Sequence, residues 1–211
     1  MFEEYVRELE ETLTQKENLA LVRKTAQAFV HSHPEEESWA FALCAWESRY
    51  FQIQELAVLV CGYLAYQRPE ALSFLESTVV HHPDWRVQEV LAMAFDSFCK
   101  AAGYEKALPV IRQWLSSGCE NQRRAVTEGL RVWTSRPYFK EHPEAAVGLL
   151  SPLRDDPSAY VRKSVGNALR DISKNYPDLV RQELSGWDLT GKALQVYKLA
   201  NQFLAKSQPD E

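Results

Sequence analysis

An all-α fold assembled from a recurring pair of helices is what this sequence predicts, and three observations predict it. Apolar residues recur at helical spacing along most of the chain. That spacing falls into a common frame in successive segments. Only eight glycines among 211 residues, and no stretch of alternating β-branched residues, leave little room for sheet.

Taken in order, residues 2–31 and 38–66 read as two to four helices joined by the acidic turn HPEEES (33–38). The frame shared by the later segments is clearest in residues 156–177, DPSAYVRKSVGNALRDISKNYP. There Val161, Val165, Ala168, Leu169 and Ile172 line one face of a 3.6-residue period. The same frame fits NQRRAVTEGLRVW, with Val126, Gly129, Leu130 and Trp133, and DWRVQEVLAMAF, with Val87, Val90, Met93 and Ala94. The offsets are 36 residues from Arg86 to Gln122 and 39 from Gln122 to Val161. A second helix accompanies each of these: PEALSFLESTV (69–79), EKALPVIRQWL (105–115), PEAAVGLLSPL (143–153) and PDLVRQELSGW (177–187), with starts 36, 38 and 34 residues apart. Three of the four open on Pro, which costs a helix nothing at its first turn because the missing N–H has no partner there. KALQVYKLANQFLAK (192–206) is a last helix that caps the array, and SQPDE (207–211) is expected to fray.

A helix pair of about 35–40 residues is the period of HEAT-like repeats. Neither helix of such a pair buries its apolar stripe alone, so pairs stack into a curved α–α superhelix. The expectation is a single HEAT-like repeat domain over residues 1–211, with one helix layer forming a concave wall. Trp39, Trp46, Trp114 and Trp133 sit in apolar contexts and are assigned to the core.

Charge narrows the function. The net charge is −5, but residues 1–85 carry 6 Lys and Arg against 14 Asp and Glu, while residues 86–211 carry 18 against 15. That polarity points to an anionic partner on the C-terminal two thirds. No apolar run approaches the roughly 18 residues of a membrane span, and the acidic start MFEEYVRELEETLTQKEN has no secretory core. A cytoplasmic protein without membrane contact is therefore expected. Cys44, Cys61, Cys99 and Cys119 are far apart, read as reduced thiols, and neither they nor His31, His33, His81 and His82 have metal-ligand spacing. No phosphate-binding loop, dinucleotide fingerprint or nucleophile elbow occurs, so neither metal nor cofactor is expected.

The polar stripe of residues 156–177 holds Lys163, Asn167, Arg170 and Lys174. Arg124 occupies the place of Lys163 one unit earlier, and Trp85 and Glu89 stand at i and i+4 one unit before that. Superposed, the stripes make a basic groove with Trp85, Glu89, Arg124 and Lys163, and Arg86, Arg123, Arg162, Arg170 and Lys192 around it. Each has an ordinary alternative. Trp85 can pack in a seam between repeats, Glu89 can be a solvated carboxylate, and Arg123 and Arg124 can cap carbonyls or pair with Glu120 and Glu128.

DWRVQE, NQRRAV and YVRKSVGNALRDISKNYP together resemble the AlkD-like DNA alkylation repair proteins, over about residues 40–205. The resemblance implies a HEAT-like solenoid that holds duplex DNA on its concave face, and, in active members, release of N3- and N7-alkylated purines. It implies that Trp85 lies against the lesion's sugar, that Arg124 clamps a phosphate and that Glu89 stands where the family has a catalytic aspartate. Two departures follow. Glu89 is one methylene longer, a change comparable to the roughly 1 Å misplacement that can cost 10²-fold in rate. Asn167 stands where the family has a second tryptophan, removing stacking and cation–π contributions of about 1–2 kcal/mol each. The expectation is thus a monomeric protein that binds duplex or distorted DNA, with weak or lost glycosylase activity. The alternatives are an active alkylpurine glycosylase using Glu89, Trp85 and Arg124, and a protein-binding HEAT-like adaptor.

Overall fold

The structure is a computed structural model and describes residues 2–205. Thirteen α-helices and no strand are found among the described residues, which makes the fold an all-α helical repeat. Backbone contacts divide the chain into two compact units, residues 1–103 and 104–211. The expected fraying of 207–211 lies outside the described residues.

The first unit contains α1 (Glu3–Leu13), α2 (Leu19–Ser32), α3 (Glu35–Trp46), α4 (Phe51–Leu64), α5 (Pro69–Ser77) and α6 (Trp85–Ala102). Its centre is α4, which packs against α1, α2, α3, α5 and α6. Residues Leu56–Gly62 of α4 are all buried, which suits a helix apolar all round rather than on one stripe. HPEEES is not the turn the sequence suggested. Only His33 and Pro34 lie outside the helix, and Glu35, Glu36 and Glu37 form the first turn of α3. Carboxylates are favourable there, beside the unsatisfied N–H groups and positive end of the helix dipole. Helices α4 and α6 approach closely at Gly62, where a Cβ would lie 2.5 Å from the Cα of Ala94. No larger residue fits without moving one helix.

The second unit contains α7 (Tyr104–Leu115), α8 (Glu120–Gly129), α9 (Pro137–Glu141), α10 (Pro143–Leu150), α11 (Ala159–Ser173), α12 (Pro177–Ser185) and α13 (Ala193–Leu204), with 3-10 turns at Trp133–Ser135 and Ser151–Asp155. Here α11 is central, packed between α8 and α13. Gly166 lets α13 come close, since a Cβ would lie 2.6 Å from that of Leu199. Helix α8 is shorter than its apolar frame suggests. Its last carbonyl is taken by a side chain, because the Arg136 guanidinium donates to Gly129 O (2.9 Å), and the same group also reaches Arg131 O (2.7 Å) just beyond the helix. Val132 then turns the chain at φ 57°, a left-handed conformation rare for a β-branched residue. Trp133 still reaches the core, but from the 3-10 turn, where it meets the edge of Phe139. Trp114 and Trp133 are fully buried, whereas Trp39 and Trp46 are half-buried and pack edge-on against Phe74.

One buried charge sits oddly in the first core. Glu55 of α4 is 5% exposed. Burial, with Glu17 and Asp84 nearby, pushes its carboxyl up to about 7 despite the opposing pull of Arg86. The folded chain therefore keeps the Glu55 proton through a range where the unfolded chain, at the ordinary value of 4.5, has lost it. Its contribution is fully present below about pH 4.5 and is lost as pH rises towards 7. Denaturation of Glu55→Gln beside the wild type tests this. Stability of the wild type relative to the variant should fall by on the order of 2–3 kcal/mol between pH 4.5 and 8. A difference independent of pH would show that Glu55 ionises normally.

Candidate nucleic-acid interface

The first unit supplies the aromatic–acidic pair. Asp84 caps α6 by accepting from Arg86 N at 2.9 Å, and its own N–H donates to His82 Nδ1 at 3.1 Å. Gln88 secures the preceding segment by donating to both Val79 O and His82 O at 2.8 Å. This fixed start of α6 leaves Trp85 with nothing to pack into, and the indole is 65% exposed. An indole filling a seam between repeats is thereby excluded. Glu89 lies one turn on and is exposed on the same side of the helix. Arg86 does not join them as an open cation. Its fork grips Asp84 (3.0 and 2.6 Å) and lies 3.4 Å over the Phe51 ring. That contact with Asp84 raises the Arg86 pKa and lowers that of Asp84.

The second unit supplies the basic residues, and it sorts them. Arg123 is a correction to the sequence reading. It is 7% exposed and forks onto Asp156, Nε to Oδ2 at 2.6 Å and Nη2 to Oδ1 at 2.9 Å, while Nη1 donates to Ser117 O at 2.7 Å. Its guanidinium is consumed inside the protein and is no phosphate contact. Its partner is Asp156, neither Glu120 nor Glu128. Arg162 is also largely committed, donating to Asp156 O (2.6 Å), Pro157 O (3.1 Å) and Gln195 Oε1 of α13 (2.8 Å).

The neighbours of these two arginines point the other way. Arg124 is half-exposed and Lys163 exposed. No ion pair joins Lys163 to another described residue. Asn167 and Arg170 follow on the same face of α11, half-buried, with Arg170 reaching Gln202 Oε1 at 3.3 Å. Lys192 is exposed at the start of α13, whose first N–H, that of Ala193, donates to Asp155 at 3.0 Å. Asp171 collects three cations: Lys174 at 2.7 Å, and Arg131 and Arg170 at 3.9 Å each. One carboxylate against three cations leaves this face positive.

Tyr160, in the first turn of α11, carries no weight in the sequence reading, yet it is 72% exposed and the most exposed of the large hydrophobic residues. Its position on the polar side of the helix, one turn before Lys163, was the available signal. Two clefts of the second unit, of about 290 and 490 Å³, are lined by residues of α10, α12 and α13 and by Arg154 and Trp187, outside this stripe. Among the described residues no group of three or more His, Cys, Asp or Glu side chains is gathered as a metal would require, and no helix is long and apolar enough to cross a membrane. Cys61 and Cys99 are buried and Cys44 and Cys119 half-buried, all four as free thiols.

Successive helix pairs with a basic layer define a helical-repeat protein whose exposed chemistry suits a polyanion. The model of the family described as DNA alkylation repair enzyme matches residues 15–185, and the chain belongs to that family. AlkD2 from Streptococcus mutans is 46% identical, with a TM-score of 0.94 over 96% of this chain and 99% of that one. The Pseudomonas fluorescens alkylpurine DNA glycosylase AlkC is 21% identical, with a TM-score of 0.60 over 82% of this chain and 48% of its own, a likeness of fold. The uncharacterized protein YhaZ of Bacillus subtilis (strain 168) is 31% identical over 166 residues, 64% of this chain and 46% of YhaZ. The chain thus spans about half the length of that curated relative.

Removal of one partner from a buried ion pair costs about 3–5 kcal/mol because the other charge is stranded. Arg123→Ala should destabilise the protein by about that much in chemical denaturation, and Arg123→Lys should recover only part, having no fork to match the carboxylate. An Arg123→Ala variant of wild-type stability would return this residue to the surface.

Proposed function

We propose that the protein binds DNA through the basic residues Arg124 of α8 and Lys163 of α11, in the second unit, and that it excises alkylated bases weakly or not at all. The observation that carries the reading is the sorting of basic residues in the second unit. Arg123 and Arg162 are spent on internal acceptors, whereas Lys163, the next residue after Arg162, is exposed and makes no ion pair with another described residue. Surface cations on a rigid helix suit a phosphate backbone, whose neutralisation releases counterions. AlkC, whose structure is bound to DNA containing an abasic site analog, supports DNA as the partner.

Weak excision follows from the chemistry of Glu89 and Asn167. Glycosidic bond cleavage builds positive charge on the sugar, which a fixed carboxylate and an indole face stabilise. Trp85 and Glu89 are exposed and share a face, as that chemistry requires. That exposure favours the second reading, an active alkylpurine glycosylase. Against it, Glu89 carries its charge on an extra methylene, and half-buried Asn167 provides no aromatic wall where the family resemblance places one. A misplacement of about 1 Å at a reacting centre can cost roughly 10²-fold in rate.

Binding of duplex DNA across a salt series, with Arg124→Ala/Lys163→Ala beside the wild type and 7-methylguanine release scored on the same methylated duplex, tests both halves. The expected result is affinity that falls steeply with salt, a shallower slope in the double variant and little base release in a single turnover. Salt-independent affinity would favour the adaptor. Rapid release that Glu89→Gln abolishes would establish the glycosylase.

A further inference from the structure

Tyr160 is a large aromatic ring with no structural employment. At 72% exposed it stands out from the first turn of α11 and makes no hydrogen bond or ring contact with any described residue. Folding gains little from it there, and an exposed aromatic of this size is ordinarily disfavoured on a monomer's surface. Its surroundings are specific. Lys163, Asn167, Arg170 and Lys174 follow at offsets of 3, 7, 10 and 14, which at 100° per residue confines all five side chains to a sector of about 80°. The Ser158 side chain makes no capping bond to the first turn of α11. The segment is held rigidly by Arg123 on Asp156, by Ser158 N donating to Asp156 at 2.8 Å, and by Arg162 on Asp156 O and Pro157 O.

We propose that Tyr160 is a stacking platform for an unpaired base of bound DNA, with Lys163 holding the adjoining phosphate. This rests on the DNA-binding reading above and deepens it by naming the feature of the DNA that is recognised. An aromatic ring beside a cation is the combination that grips single-stranded nucleotides, since every base has a π face and every nucleotide a phosphate. Residues at i and i+3 lie about 5–6 Å apart at Cβ, comparable to the reach from a base to its own phosphate. In a fully paired duplex both faces of each base are covered by neighbours. A ring fixed on a rigid helix can stack only where a base has left the stack. The partner is therefore DNA carrying a bulged or otherwise unpaired nucleotide.

Two duplexes of one sequence test the proposal, one fully paired and one with a single bulged 2-aminopurine. The wild type and Tyr160→Phe should bind the bulged duplex roughly tenfold more tightly than the paired one, and each should quench the 2-aminopurine fluorescence on binding. In Tyr160→Ala the ratio of affinities should fall to about one and the quenching should vanish. Unaltered circular dichroism and melting would show that this exposed position has not disturbed the fold. Preference and quenching that survive in Tyr160→Ala overturn the proposal, as does a wild type that binds both duplexes equally. Equal binding leaves DNA binding itself intact, whereas a wild type that binds neither duplex overturns both readings.

Discussion

The buried pair between Arg123 and Asp156 is the interaction on which the packing of α8 and α11 in the second unit depends. It joins α8 to the segment that starts α11, across 33 residues of sequence, with two charge-assisted bonds and a third to Ser117 O. Asp156 does more than balance the arginine, because it also accepts from Ser158 N and so sets the first turn of α11. A fully satisfied pair of this kind contributes less to net stability than to uniqueness, since its desolvation cost nearly offsets its attraction. What it specifies here is the rotation of α11. That rotation decides which residues face solvent.

The same span recurs beside it. Arg162 reaches Gln195, 33 residues on, and Arg170 reaches Gln202, 32 residues on. Arginines of one first-layer helix thus hold the next, using their long apolar stems and forked heads in a role lysine fills poorly. Close approach at Gly166 completes the fit of α13 on α11. The first unit solves the same problem with Gly62 against Ala94, around a central helix buried on every side. In the second unit Arg123 and Arg162 therefore build the layer, while Lys163 and Lys192 stay exposed.

Helical periodicity made the layer legible in advance, because burial of an apolar stripe is a local property that repeats with the repeat. The frames of α6 and α11 match the helices found. That of α8 overran, because its C-terminus is set by Arg136 closing on its last carbonyl and by the left-handed Val132, neither of which a pattern of apolar residues reveals. The acidic HPEEES looked like a turn by composition, yet three glutamates are as suitable for a helix start. Within the site, Arg123 and Arg124 are adjacent and chemically identical, but separated by 100° on α8. Only the position of Asp156 in space distinguishes them. Tyr160 was hidden for the converse reason, since an aromatic in a helix is usually core and its exposure depends on what packs nearby.

On the proposed function, DNA meets Arg124 and Lys163 rather than the acidic helices at the start of the chain. Hydrogen exchange with and without duplex DNA addresses it most directly, because protection is read segment by segment. Slowed exchange is expected in residues 120–131 and in the first turns of α11, with α1, α2 and α3 unchanged. Protection confined to α1, α2 and α3, or absent from α8 and α11 at saturating DNA, would contradict it.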